Sequence, residues 1–141
     1  MKIEYRTPAG TGSYTTLADD SSATLADKIS RFLPACRKTP QVEALAGAAA
    51  PFVQDRGNQS WEISFLVERT HASPDAAALF ITTEAAIFGA VANFDLKITQ
   101  GAQVLYVTRC ALTQFTPDQL SDKSSRIIYA FVGKSFNATA P

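Results

Sequence analysis

Apolar residues recur along much of this chain at every second position, the spacing of a strand with one buried face. Trp61, Ile63, Phe65 and Val67 alternate with Glu62, Ser64 and Glu68. Phe94, Leu96 and Ile98 alternate with Asp95, Lys97 and Thr99. Beyond Gly101-Ala102, the run 103–115 sets Val104, Tyr106 and Thr108 against Leu105, Val107 and Arg109, which predicts a hairpin. Lys2 to Arg6, with Ile3 and Tyr5 on one face, predicts a short first strand, and 13–17 is its expected partner across the turn from Pro8 to Gly12. Residues 126–136 predict a closing strand. Ile127 to Val132 is nearly all apolar, so both of its faces should be covered.

One stretch changes period. Ser73 suits an N-cap, Pro74 the first helical position, and Asp75 the positive end of a helix. Ala76, Leu79, Phe80, Thr83 and Ile87 recur at helical spacing, which predicts a helix over 74–88 with that stripe inward. Gly89 reads as a left-handed stop.

Two stretches give no single answer. Residues 19–39 carry Leu25, Ile29, Phe32 and Leu33 at helical spacing before Pro34, and fit equally a helix or an extended arm. Residues 41–50 are Ala-rich and read as a short helix or a flexible segment. Pro51 to Arg56 is expected to pair with the strand opening at Trp61, through a tight turn at Gly57-Asn58. The polar run Thr116 to Lys123 reads as a loop. The order of elements predicts an α+β chain: a mainly antiparallel β-sandwich or barrel-like sheet with one amphipathic α-helix packed against it. Residues 1–141 are expected to form a single domain with an extended or loop-rich segment at 18–56.

Composition narrows the function classes. The chain is 46% hydrophobic, enough for a core without a disulfide or metal staple. Charged residues make up 18%, against an average near ~25%, which favours a surface partly covered by another subunit. Lys plus Arg and Asp plus Glu are 13 each, so no global field draws the chain to nucleic acid or an anionic membrane. The small basic cluster Arg31, Arg37 and Lys38 reads as solvated. The polar start and the lack of a ~20-residue apolar run predict neither a secretory signal nor a membrane span.

Candidate chemistry is sparse. His71 is the only histidine, so a His-based metal site or acid–base pair would need partners that the spacing does not suggest. Cys110 sits within an alternating strand as a small hydrophobe, while Cys36 beside Arg37 could act as a nucleophile only by meeting His71. Asp19-Asp20 lie in a Ser/Thr-rich stretch and read as a solvated turn. Gly10-Thr11-Gly12 lacks the Lys and the helix of a phosphate loop. The reading is of no enzyme: no catalytic residues, no cofactor and no metal. Trp61 reads as core, with interface anchoring second.

Four features resemble phage and prophage tail proteins of the tail-tube-like fold. They are the strand Trp61 to Thr70 ending in Arg69-Thr70, the Ser73-Pro74-Asp75-Ala76-Ala77 helix entry, the hairpin at Gly101, and the closing strand Arg126 to Gly133. The resemblance implies a structural subunit of a tail, assembled in the bacterial cytoplasm and carried in the virion. It would form a ring or other homo-oligomer through its sheet edges and contact other tail proteins. It implies no sequence-specific nucleic acid and no membrane partner. The candidate interface is Trp61, Glu62, Glu68, Arg69 and Arg126. The competing expectation is a non-catalytic β module holding a small ligand in a closed Phe/Tyr-lined cavity.

Overall fold

A computed structural model describes residues 1–22, 27–38, 41–43, 52–54, 59–90, 92–121 and 123–141. The elements run β1 (Lys2–Arg6), β2 (Thr15–Asp19), β3 (Asp27–Lys38), β4 (Gln41–Glu43), β5 (Phe52–Gln54), β6 (Gln59–Thr70), α1 (Pro74–Phe88), β7 (Asn93–Gln100), β8 (Gln103–Ser121), β9 (Ser124–Gly133) and β10 (Ser135–Asn137). Eight strands make one antiparallel sheet in the order β2-β1-β7-β8-β9-β6-β3, with β10 beside β8. The fold is mostly β with one helix, and the sheet does not close into a barrel.

The period-2 runs become strands as their spacing requires. Ile63, Phe65, Val67, Phe94, Leu96, Ile98, Ile127, Tyr129 and Phe131 are all buried in one cluster. At the tip of the β7–β8 hairpin, Gly101 supplies the positive φ of the turn (58°). Of the two readings for 19–39, the extended one holds where Asp27–Lys38 is strand. β3 tolerates Pro34 because, among the described residues, Pro34 is paired on one side alone, with Ile63 of β6. Leu25 lies outside the described residues.

Two expectations about pairing are corrected. Phe52–Gln54 pairs with Gln41–Glu43 and not with the strand at Trp61, whose two sides are already taken by β3 and β9. The remainder of 41–50 and the Gly57-Asn58 turn lie outside the described residues. The expected loop 116–123 is instead largely strand, because β8 continues to Ser121 and stays paired with β9. Pro117 and the polar side chains fit there since no strand flanks the other side of β8 beyond Ala111, among the described residues.

Helix α1 spans the expected residues. The Ser73 side chain accepts from the Ala76 N–H at 3.1 Å, Pro74 opens the helix and Asp75 sits in its first turn. The buried face differs from the expected stripe. Ala77 and Phe88 are buried and Phe80 and Ile87 pack on the core, while Leu79 is 67% exposed and Thr83 faces out. Glu84 also lies inward, where the Tyr129 hydroxyl donates to it at 2.8 Å. Gly89 is right-handed (φ −80°) and not left-handed; its place is set by crowding, since a Cβ there would lie 2.5 Å from the Ala85 carbonyl oxygen. Phe88 anchors the helix, its ring meeting Tyr5, Phe94, Phe115, Tyr129 and Phe131 at centroid distances of 5.1–6.1 Å.

Candidate assembly surface

The four strands β8, β9, β6 and β3 turn one face to the core and the other outward. In an antiparallel pair, directly opposed residues share a face. The register therefore sets three outward rows from β8 to β3: Asp118, Arg126, Glu68 and Lys28; then Thr116, Ile128, Leu66 and Ser30; then Gln114, Ala130, Ser64 and Leu33. The first row alternates in charge, minus, plus, minus, plus. The lower rows surround an open groove of about 270 Å³, lined by Arg31, Leu33, Ser64, Phe65, Leu66, Gln114 and Ile128.

Among the described residues this face is covered in part, with Leu66 and Ala130 buried on it. Ile128 and Val132 are only half-buried, and Leu33 is 63% exposed. The groove holds one aromatic lining residue, Phe65, whereas the other rings of the core pack on one another. A closed cavity walled by Phe and Tyr is not what these residues build.

Bulges shape both margins of the face. In β3, Arg31 and Phe32 stand opposite Phe65 alone, and Arg31 takes φ 52°. The extra residue returns Phe32 to the core side and sets Leu33 outward. A non-glycine residue in this region costs roughly 1–3 kcal/mol unless its surroundings hold it. In β8, the register slips at Thr113, whose hydroxyl donates to the Ala130 carbonyl at 3.2 Å. A further bulge sits at Arg109 (φ 47°) and is held from inside: the buried Asp95 carboxylate accepts from the Arg109 N–H, the Gly10 N–H and Arg6 Nε at 2.7–2.9 Å. Burial alone would raise the Asp95 carboxyl, but these three hydrogen bonds outweigh it and hold the group below the usual carboxylate range.

The five candidate interface residues separate on this frame. Glu68 and Arg126 sit side by side in the charged row, with Arg126 Nη2 3.1 Å from Asp118 Oδ2. Glu62 shares their face and takes Arg37 Nε at 3.0 Å. Trp61 is half-buried at the rim of the opposite face, its ring 5.2 Å from that of Phe136. Arg69 is turned inward. Its Nε and Nη2 bind both oxygens of Asp27, Nη2 also donates to the Leu17 carbonyl at 3.3 Å, and its guanidinium lies 4.4 Å above the Phe80 ring.

Asp27 was not singled out by sequence, yet it joins the two ends of the sheet. Its side chain is fully buried, and Oδ2 also accepts from the Asp19 N–H of β2 at 3.0 Å. β2 and β3, the first and last strands in sheet order, are thus clasped through one carboxylate and one guanidinium, with helix α1 resting on the latter. The signal lay in no local motif: Asp27 and Arg69 meet only because β3 and β6 pair at that register.

The candidate chemical groups do not converge. His71 Nε2 lies 2.8 Å from Ser125 Oγ, its backbone N–H donates to the Lys123 carbonyl, and its ring packs 5.1 Å from Phe80. Burial and the neighbouring Arg69 lower its pKa, so the ring is neutral at pH 7; Ser125 is itself buried. Cys36 is exposed and opposes Trp61, ten residues along from His71 and so about 30 Å away along an extended strand. Cys110 is buried, its thiol pushed up to about 12 by burial. Asp19 accepts from Ser21, as a turn residue does. Among the described residues, no group of three or more His, Cys, Asp or Glu could hold a metal ion, and no helix is long and apolar enough to cross a membrane.

No family model matches the chain, and no curated protein matches it. Among solved structures, it is similar to a chain in the tail of an empty GTA particle, determined with helical refinement in C6 symmetry. Identity is 14% and the TM-score 0.48, over 99% of this chain and 95% of that chain.

Proposed function

We propose that this protein is a non-enzymatic structural subunit of a phage or prophage tail, which joins to copies of itself, as a ring or similar oligomer, and to other tail proteins. The observation that carries the reading is the four-stranded outer face, bounded on both sides by strand edges that nothing else in the described chain pairs. Unpaired edges are templates for association. Supporting it are the half-bare apolar rows of that face, the low charge content of the chain and the sequence resemblance carried by 61–70, 73–77, 101 and 126–133. The virion is its place of action, and the bacterial cytoplasm its place of assembly.

Light scattering coupled to size-exclusion chromatography tests this across a concentration series. The expected result is a mass that climbs from the 15.1 kDa of one chain toward a fixed multiple. A chain that remains at 15.1 kDa up to about 1 mM, a concentration that would reveal even very weak self-association, refutes it.

A further inference from the structure

The two edges that bound the outer face are complementary to each other. Read from β8 to β3, the charged row is Asp118, Arg126, Glu68, Lys28. It ends in an anion on one margin and a cation on the other. Asp118 is over half exposed, and Lys28 is exposed and has no ion-pair partner among the described residues. A second copy placed beside the first, its β8 next to this β3, continues the alternation without a break, Lys28 meeting Asp118 of the neighbouring copy. The strand directions agree. β8 runs parallel to β6, which is antiparallel to β3, so the new pair is antiparallel like every other in the sheet.

Resting on the reading that the chain assembles with itself, we propose that neighbouring copies meet β3 against β8, with Lys28 opposite Asp118, and that the side-chain rows set this register more than a continuous backbone ladder does. Both margins restrict such a ladder. Pro34 and Pro117 each keep their place in a paired strand by directing the position of the missing N–H outward, where it cannot serve a new neighbour. The bulges at Arg31 and Thr113 shift the remaining edge groups out of step. These devices suppress indiscriminate edge pairing, and the charged row supplies a register to one partner only. The same placement brings Ser30 beside Thr116 of the neighbour and extends the groove rows across the junction. The contact is heterologous, since each copy offers one edge and receives the other, so it propagates to a ring or a filament and does not stop at a dimer.

Cross-linking tests the geometry. In one subunit, Ser30 and Thr116 are three strand spacings apart, about 14 Å, beyond the reach of a disulfide. In a Cys36→Ser background, Ser30→Cys and Thr116→Cys placed in the same chain should give, on oxidation, a ladder of covalent multimers that neither single cysteine gives. Charge reversal tests the register. Lys28→Glu or Asp118→Lys should each raise the concentration needed for assembly by about tenfold at low salt, and the two together should recover most of that loss, because each interface regains one opposite-charge pair. Raising salt to ~0.5 M, where screening is strong, should weaken the wild type and leave little difference between variants. Circular dichroism melts of each variant at low concentration separate a folding defect from an assembly defect. If the wild type assembles by light scattering but neither the cross-link nor the rescue is seen, this pairing is wrong and self-assembly stands. A wild type that stays monomeric overturns both.

Discussion

The β3–β6 hairpin has two ends that differ in almost every respect. At its root, Asp27 and Arg69 bury opposite charges against each other, bind β2 and carry helix α1 through Phe80. At its far end, Leu33 through Lys38 are exposed, and Arg37 and Glu62 form an ion pair in solvent. The same two strands run between the two ends, with one bulge at Arg31 and Phe32 on the way. What changes is the dielectric surrounding the charges. At the root a guanidinium and a carboxylate hold the fold together, and at the tip the same chemistry is left available to something outside.

The largest expected effect breaks the root. Arg69→Met leaves the Asp27 carboxylate buried and unpaired, and should cost ~3–5 kcal/mol in urea unfolding. A loss below ~1 kcal/mol would mean the clasp is not a structural tie. Next is a change level with the tip but on the core side. Gly133 opposes Trp61, and a Cβ there would lie 2.4 Å from Val107 Cγ1 and 3.2 Å from the Cys110 Cβ. Gly133→Ala should cost ~1–3 kcal/mol by overpacking, showing that the tip end is tolerant on one face only.

A third test uses pH at the root. Burial raises the Glu84 carboxyl above its ordinary range, opposed by the hydrogen bond from Tyr129 and by Arg69. The native chain therefore holds this proton more tightly than the unfolded chain. Its contribution is complete below the unfolded value of about 4.3 and is lost as pH rises through the higher folded value. Glu84→Gln keeps an acceptor for the Tyr129 hydroxyl and removes the titration. Its melting temperature relative to wild type should climb between pH 4 and 7, and parallel curves would count against the buried carboxylate. The smallest effect belongs to the tip. Arg37→Ala and Leu33→Ser should each change monomer stability by less than ~1 kcal/mol, since exposed ion pairs and exposed apolar side chains contribute little.

Much of the fold was legible from periodicity. The strands at 61–70, 93–100 and 103–115 and the capped helix at 74–88 follow from local pattern, and the structure has them. The misses share a cause: each depends on a partner distant in sequence. Thr116 to Ser121 reads as a polar loop until β9 is seen to pair with it. The helical stripe of Ala76, Leu79, Phe80, Thr83 and Ile87 holds at Phe80 and Ile87 and misses Glu84, whose inward place depends on Tyr129 beneath it. Asp95 alternates like a solvent-facing residue and is buried because Gly10, Arg6 and Arg109 converge on it. The outer face was half legible. Glu62 and Glu68 alternate outward as they lie, whereas Lys28, Arg126 and Asp118 join the charged row only through the register of β3, β9 and β8. Arg69, named with Glu62, Glu68 and Arg126 as a candidate interface residue, turns inward against Asp27.

Hydrogen exchange read by mass spectrometry, at about 1 μM and again at about 0.5 mM, addresses most directly the claim that strand margins join copies of this chain. Such a difference in concentration shifts any weak association by mass action. Peptides spanning 27–38 and 112–121 should exchange more slowly at the higher concentration, while those spanning 74–88 stay unchanged. Slowing confined to the helix, or no slowing at either margin while the particle mass rises, would contradict it.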